Sequence, residues 1–178
     1  MVLTERQFKN DTEGKTIKMI VEAHIPKIFK NGAYIFISHK HNEDEYVYRL
    51  CEVLKRYGFE GYVDWEDDSM PLTTSGETAV KLKDRIKGSK KFILIATEAA
   101  IESKWCNWEV GFADAHKFID HIALLPIKKE YTNYQGEEYL QIYPSIQTET
   151  NRQYENVLNY YIKYPDGKTM ALGEWLKI

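Results

Sequence analysis

From residue 33 onward, short apolar runs alternate with stretches in which apolar residues recur every three or four positions. The runs are five to seven residues long and rich in β-branched and aromatic side chains, which is typical of buried strands. They are AYIFIS (33–38), EGYVD (60–64), KFILIAT (91–97) and IALLPI (122–127).

The intervening stretches have the spacing of amphipathic helices that cover a core with one face. They span residues 39–58, 77–89 and about 104–118. In the first, Asn42 is the predicted cap at the start and Gly58 ends the helix. In the second, we expect Val80, Leu82 and Ile86 to face the core.

Alternating strands and helices predict an α/β fold with a parallel sheet covered by helices on both faces. Residues 33–150 form this domain. Residues 1–32 are expected to be an N-terminal arm or a short helix, although Pro26 interrupts the helical spacing of residues 17–29. Residues 151–178 contain a PDG turn signal between two strand-like runs, which predicts a C-terminal β-hairpin packed on the same domain.

Composition excludes several classes of function. The chain has 178 residues and a net charge of −3, so it lacks the basic surface of a nucleic-acid-binding protein, and no charge run suggests membrane binding. The N-terminus is polar and lacks the apolar segment of a signal peptide. Cys51 and Cys106 both lie in apolar helical contexts and are expected to be core residues. A cytoplasmic location follows from this cysteine usage.

Polar side chains follow the predicted strands at the edge of the sheet where α/β proteins bind ligands. They are Ser38, His39, Lys40 and His41 after the first strand, Asp64 at the end of the second, and Trp105 and Glu109 in the third helix. Trp105 and Glu109 are four residues apart, so we expect them to share one face. Glu109 is interpreted as an acid, a base or a cation-stabilising carboxylate, although an ordinary packing helix would have the same spacing.

Four segments, in the right order, carry a resemblance to a known family. They are YIFISHKHNED, GFEGYVDWEDD, ETAVKLKDRIKGSKKFILIAT and SKWCNWE. With them, residues 33–126 resemble a TIR (toll/interleukin-1 receptor) domain of the stand-alone bacterial kind. The resemblance implies a flavodoxin-like, doubly wound parallel sheet, in agreement with the periodicity.

The resemblance also implies an activity. Many TIR domains cleave NAD⁺ at the nicotinamide–ribose bond and release ADP-ribose or a cyclic isomer, with the Glu of the W-x-x-x-E box as catalytic residue. That position is Glu109, and Trp105 would line the pocket. NAD⁺ is then a substrate, and no cofactor is expected.

The other substrate contacts expected from the resemblance and from the sheet edge are Ser38, His39, Lys40, His41 and Asp64. The loop at residues 65–76 would gate the site and join subunits. An antiphage system of the Thoeris type is the implied context, in which a second protein senses the product.

Other readings of the same residues remain open. The chain could be a TIR interaction module that turns over nothing, or a relative of nucleoside deoxyribosyltransferases, although these lack the W-C-x-x-E box. His39 and His41 without a third ligand make a weak metal motif. The acidic cluster at residues 64–68 lacks the spacing of a calcium loop, so no metal is expected.

Overall fold

The computed structural model describes residues 2–11, 34–67, 69–71, 75–129, 138–150 and 158–178. Its strands are β1 (Leu3–Thr4), β2 (Tyr34–Ser38), β3 (Glu60–Tyr62), β4 (Lys91–Ala96), β5 (Ile122–Lys128), β6 (Ser145–Thr150), β7 (Leu158–Lys163) and β8 (Thr169–Ala171). Its helices are α1 (Glu5–Asp11), α2 (Asp44–Arg56), α3 (Gly76–Gly88), α4 (Glu98–Ile101), α5 (Lys104–His116) and α6 (Leu172–Lys177).

One mixed sheet organises the described residues, in the order β3-β2-β4-β5-β6-β7-β8, with β1 also paired to β5. Neighbouring strands from β3 to β6 are parallel, and β6, β7 and β8 are antiparallel. The chain leaves β2 for β3 on one side and later returns to β4 on the other. The gap between the carboxyl ends of β2 and β4 is therefore the topological switch point, where doubly wound sheets bind ligands.

Each face of the sheet has its own core because side chains alternate along the strands. On one face, Ile35 and Ile37 of β2 pack with α2 and with Trp175 of α6. On the other, Tyr34 and Phe36 pack with residues of α3 and α5. Ser38, the last residue of β2, lies on the same face of the strand as Tyr34 and Phe36 and therefore faces α5.

The predicted α/β fold is confirmed, and the four predicted core strands are present. The C-terminal hairpin is present as β7 and β8, joined by a turn with Gly167 at φ +87°. Gly58 ends α2 as predicted, with φ +81°. Cys51 and Cys106 are buried free thiols. The N-terminal helix considered for residues 17–29 lies outside the described residues.

Two details of the predicted helices are wrong. Val80 is 58% exposed, because α3 buries Thr78, Leu82 and Ile86 at four-residue intervals and position 80 lies between them. Asn42 does not cap α2. It has φ +72°, and the helix begins after Glu43 instead.

The N-terminal segment packs tightly onto the sheet domain. Leu3 and Phe8 are buried in the core on the α2 face. The Asp11 carboxylate accepts hydrogen bonds from the Leu158 backbone N–H at 2.9 Å and the Tyr160 hydroxyl at 2.8 Å, and it pairs with Arg56 at 2.8 Å. The start of the chain is thereby connected to β7 and α2.

Gly61 in β3 lies where a side chain has no room. A Cβ at this position would be 2.5 Å from Cδ1 of Ile37 and 2.7 Å from Sγ of Cys51. We expect Gly61→Ala to lower the free energy of unfolding by about 1–3 kcal/mol through overpacking, as measured by urea denaturation. Cys51→Ala removes one of the clashing atoms, so the double variant should lose less than the sum of the two single losses. A double variant whose loss of unfolding free energy equals the sum of the two single losses would contradict this explanation.

Candidate active site

The candidate site lies at the carboxyl ends of β2, β3 and β4, beside the first turns of α5. Ser103 caps α5, because its side chain accepts a hydrogen bond from the Cys106 backbone N–H. This start position orients Glu109, one turn and a half into the helix, towards the end of β2. The local sequence thus sets which side chains of α5 face the sheet, and β2 provides Ser38 as the hydrogen-bond partner of Glu109.

Glu109 is buried and hydrogen-bonded to β2. It is 5% exposed, and the Ser38 hydroxyl donates to its Oε2 atom at 2.5 Å. This is the carboxyl group's only hydrogen bond within the described residues. A carboxyl group with a single donor is poorly solvated, and such groups resist ionisation.

The surroundings of Glu109 shift its pKa. Burial raises the pKa of Glu109 to about 8, the hydrogen bond from Ser38 opposes that rise, and the negative charge of Asp64 adds to it. Burial also raises the pKa of the Cys106 thiol, whose Sγ donates to the His39 carbonyl at 3.2 Å. A carboxyl group that titrates near neutrality at the ligand-binding edge is typical of a functional site.

His39 and Trp65 form one wall of the site. The two rings meet edge to face with their centroids 4.7 Å apart. Trp65 Nε1 donates to the Tyr48 hydroxyl at 3.1 Å, while 41% of Trp65 remains exposed. Burial lowers the pKa of His39, and the charge of Asp64 partly opposes this. The wall is therefore aromatic and contains an imidazole that favours its neutral form.

Trp105 forms a second aromatic surface, one helical turn before Glu109 on α5. The Trp105 ring is 37% exposed and stacks on Trp108, with centroids 5.0 Å apart. Trp108 stacks in turn on Phe112. The indole is thus partly exposed on α5, whereas the carboxyl group of Glu109 is buried against Ser38.

A hydrogen bond joins the two loops at the switch point. Thr97, which caps α4, donates from Oγ1 to Oε1 of Glu43 at 2.8 Å. Burial raises the pKa of Glu43, and the bond from Thr97 opposes that rise. Glu43 was not among the predicted site residues. Its only signal was its place in the HNED segment after the first strand.

The structure brings most of the predicted site residues to one edge. Ser38 contacts Glu109 directly, and the charge of Asp64 acts on both Glu109 and His39. Lys40 lies on the loop after β2, where its charge acts on Cys106 and Glu43. His41 is exposed on that loop beyond His39.

Two negative observations concern only the part of the chain that the structure describes. No group of three or more His, Cys, Asp or Glu side chains is arranged to hold a metal ion. No helix there has both the length and the apolar character needed to cross a membrane.

Comparison with known proteins adds a family and two relatives. The family model described as TIR domain matches residues 35–158. A probable 3′ cyclic ADP-D-ribose synthase, ThsB′, of Bacillus cereus (strain MSX-D12) is 32% identical over 140 residues, which cover 76% of this chain and 72% of that protein. A putative cyclic ADP-D-ribose synthase, TIR2, of Cytobacillus dafuensis is 29% identical over 82 residues, or 44% of this chain and 22% of that protein.

A solved structure is also similar. It is the TIR domain of the Toll-related receptor TRR-2 from Hydra magnipapillata, with a TM-score of 0.46 and 18% identity. The similarity covers 60% of this chain and 76% of that chain.

Proposed function

Because the chain belongs to the TIR domain family, we propose that it cleaves NAD⁺ at the nicotinamide–ribose bond, with Glu109 as catalytic residue. The products are nicotinamide and either ADP-ribose or a cyclic isomer of it. The observation that carries the proposal is the buried Glu109 carboxyl group, held by Ser38 at the switch point of the sheet. The names of the two relatives, both cyclic ADP-D-ribose synthases, support the same chemistry.

The chemistry needs one carboxylate rather than two. Nicotinamide departs neutral from a cationic pyridinium, so no general acid has to protonate it, in contrast to most glycosidases. The ribose develops positive charge as the bond breaks, and a carboxylate in a poorly hydrated site stabilises that charge strongly. Glu109 supplies this group. The positive charge of bound NAD⁺ favours its ionised form.

The proposal also gives roles to the residues around Glu109. The exposed Trp105 ring offers a surface on which a pyridinium or adenine ring can stack. His39, Lys40 and His41 lie on the loop after β2 and are proposed to contact the nucleotide. Asp64 adds negative charge to the site, which suits a cationic substrate.

The nucleophile decides which product forms. Water attacking the ribose gives ADP-ribose, whereas an adenine nitrogen of the same molecule gives a cyclic product. The names of the relatives favour the cyclic product. They also favour an enzyme over an interaction module that turns over nothing.

The setting of the reaction is part of the proposal. We place the protein in the cytoplasm, where it self-associates through the loop at residues 65–76, of which Trp65 is exposed. Its nucleotide product is sensed by a second protein in antiphage signalling of the Thoeris type.

The test is to incubate the purified protein with NAD⁺ at increasing protein concentration and to separate the products by chromatography and mass spectrometry. Nicotinamide release is expected, with a second product whose mass equals that of ADP-ribose or is lower by one water if it is cyclic. Glu102→Gln, which changes an exposed carboxylate just before α5, should behave as the wild type. NAD⁺ that stays intact at every concentration would contradict the proposal.

A further inference from the structure

Ser38 is buried beneath the site rather than exposed to it. Only 1% of the residue is accessible, and its hydroxyl is engaged with Oε2 of Glu109. A hydroxyl in this position is not available to a substrate that binds above the sheet edge. This contrasts with the expectation that Ser38 contacts the nucleotide, and it points to a different role.

We propose that Ser38 is a positioning residue, whose hydroxyl anchors the Glu109 carboxyl group at one oxygen and leaves the other for the substrate. The inference rests on the proposed function for what the substrate is, but the anchoring itself does not depend on it. Ser38 and Glu109 are 71 residues apart in the chain, so the bond joins the end of β2 to α5. It fixes the carboxyl group relative to the sheet edge on which the substrate would lie.

The hydrogen bond from Ser38 favours the charged form of the Glu109 carboxyl group. It opposes two influences that favour the neutral form. Burial raises the pKa of Glu109 and so does Asp64, whereas the Ser38 hydroxyl lowers it. Cys106, on the same helix, donates to the His39 carbonyl and not to Glu109. The positive charge of Lys40 acts on the thiol of Cys106, where it opposes the rise in pKa that burial causes. Ser38 is thus the one hydrogen-bond donor to the Glu109 carboxyl group among the described residues.

The charged side chains of the neighbouring elements do not replace this donor. On α3, which packs against α5, Lys83 lies over the rings of Trp108 and Phe112, and Lys87 lies over Phe112. These lysines therefore face the aromatic side of α5 and not the carboxyl group of Glu109. Removing the Ser38 hydroxyl leaves a buried carboxyl group without a donor, which disfavours ionisation.

The experiment compares the wild type with Ser38→Ala, Ser38→Thr and Ser89→Ala. Ser89 is a matched control, because it is buried and hydrogen-bonded but lies at the amino end of β4, at the opposite edge of the sheet. Two measurements are made on each protein. The first is the pH dependence of nicotinamide release from NAD⁺, and the second is a ¹³C NMR titration of the Glu109 side-chain carboxyl without NAD⁺.

We expect the wild-type titration midpoint near 8, and a midpoint about one pH unit higher in Ser38→Ala. Because the carboxylate is the active form, nicotinamide release at a fixed pH below the midpoint should fall about tenfold. The loss should appear in kcat/KM, and it should disappear at pH values above both midpoints, where the carboxyl group of each protein is ionised. Ser38→Thr keeps a hydroxyl and should restore the wild-type midpoint. Ser89→Ala should not shift it.

An unchanged or lower midpoint in Ser38→Ala would overturn the inference. A loss of kcat/KM that persists at pH values above both midpoints would also overturn it, because it indicates direct substrate contact. The NMR titration needs no turnover, so it separates this inference from the proposed function. A shifted midpoint in a protein that leaves NAD⁺ intact would support the anchoring role and refute the activity. Turnover that depends on Glu109, together with an unshifted midpoint in Ser38→Ala, would support the activity and refute the anchoring role.

Discussion

Replacing Glu109 by glutamine is expected to lower the rate of nicotinamide release from NAD⁺ about a thousandfold, because the amide cannot supply the negative charge that stabilises the developing ribose cation. The substitution keeps the size of the side chain and an oxygen that can accept the hydrogen bond from Ser38. The fold should therefore persist. Single-turnover measurements of nicotinamide release, with near-saturating NAD⁺, give the rate of the chemical step.

The structure offers a way to separate chemistry from folding in this experiment. Glu109→Gln removes a buried group that is costly to ionise, so its urea denaturation midpoint should equal that of the wild type or exceed it. A variant that is inactive but at least as stable would show that Glu109 serves function at the expense of stability. Equal turnover by Glu109→Gln and the wild type would remove Glu109 from the mechanism.

Replacing Asp11 by alanine is expected to lower the free energy of unfolding by about 2–4 kcal/mol, because two part-buried donors lose their acceptor at a cost of about 1–3 kcal/mol each. Its side chain is fully buried and connects Arg56 of α2 with the Leu158 N–H and the Tyr160 hydroxyl of β7. Alanine would leave these donors without their acceptor. Urea denaturation followed by circular dichroism measures the loss.

Asp166 provides the control for this prediction. It lies in the exposed hairpin turn and pairs with Lys168 at the surface, where ion pairs contribute little. Asp166→Ala should leave the denaturation midpoint unchanged. If Asp11→Ala also left it unchanged, residues 2–11 would be a loosely attached arm rather than a part of the folded domain.

Strands and helices could be predicted from local sequence patterns. Burial on one face makes apolar residues recur every second position in a strand and every three or four positions in a helix. The prediction for Val80 was wrong because this residue is two positions before Leu82 and therefore about 200° from it around the helix. Helix α3 begins after Ser75, whose side chain and that of Thr78 cap the helix together. It places Leu82 and Ile86 against the sheet and Val80 in solvent.

For the candidate site, the sequence predicts which residues lie at one edge of the sheet but not the environment of each side chain. The order of strands is enough to bring Asp64 and the residues after β2 to one edge, because parallel strands end on the same side. The burial of Glu109 and the exposure of Trp105 were not predictable from their four-residue spacing. Both depend on what α5 packs against, and that is a property of the assembled sheet.

The α/β fold, the order of its elements and the location of a carboxylate near the ligand-binding edge are all predictable from the sequence. These follow from periodicity and from covalent order. The folded structure was needed to find that Glu109 is hydrogen-bonded to Ser38, 71 residues away, and that Asp11 accepts a hydrogen bond from Leu158, 147 residues away. It also decided the raised pKa of Glu109. Burial and distant hydrogen-bond partners set that pKa, and neither exists until the chain has folded.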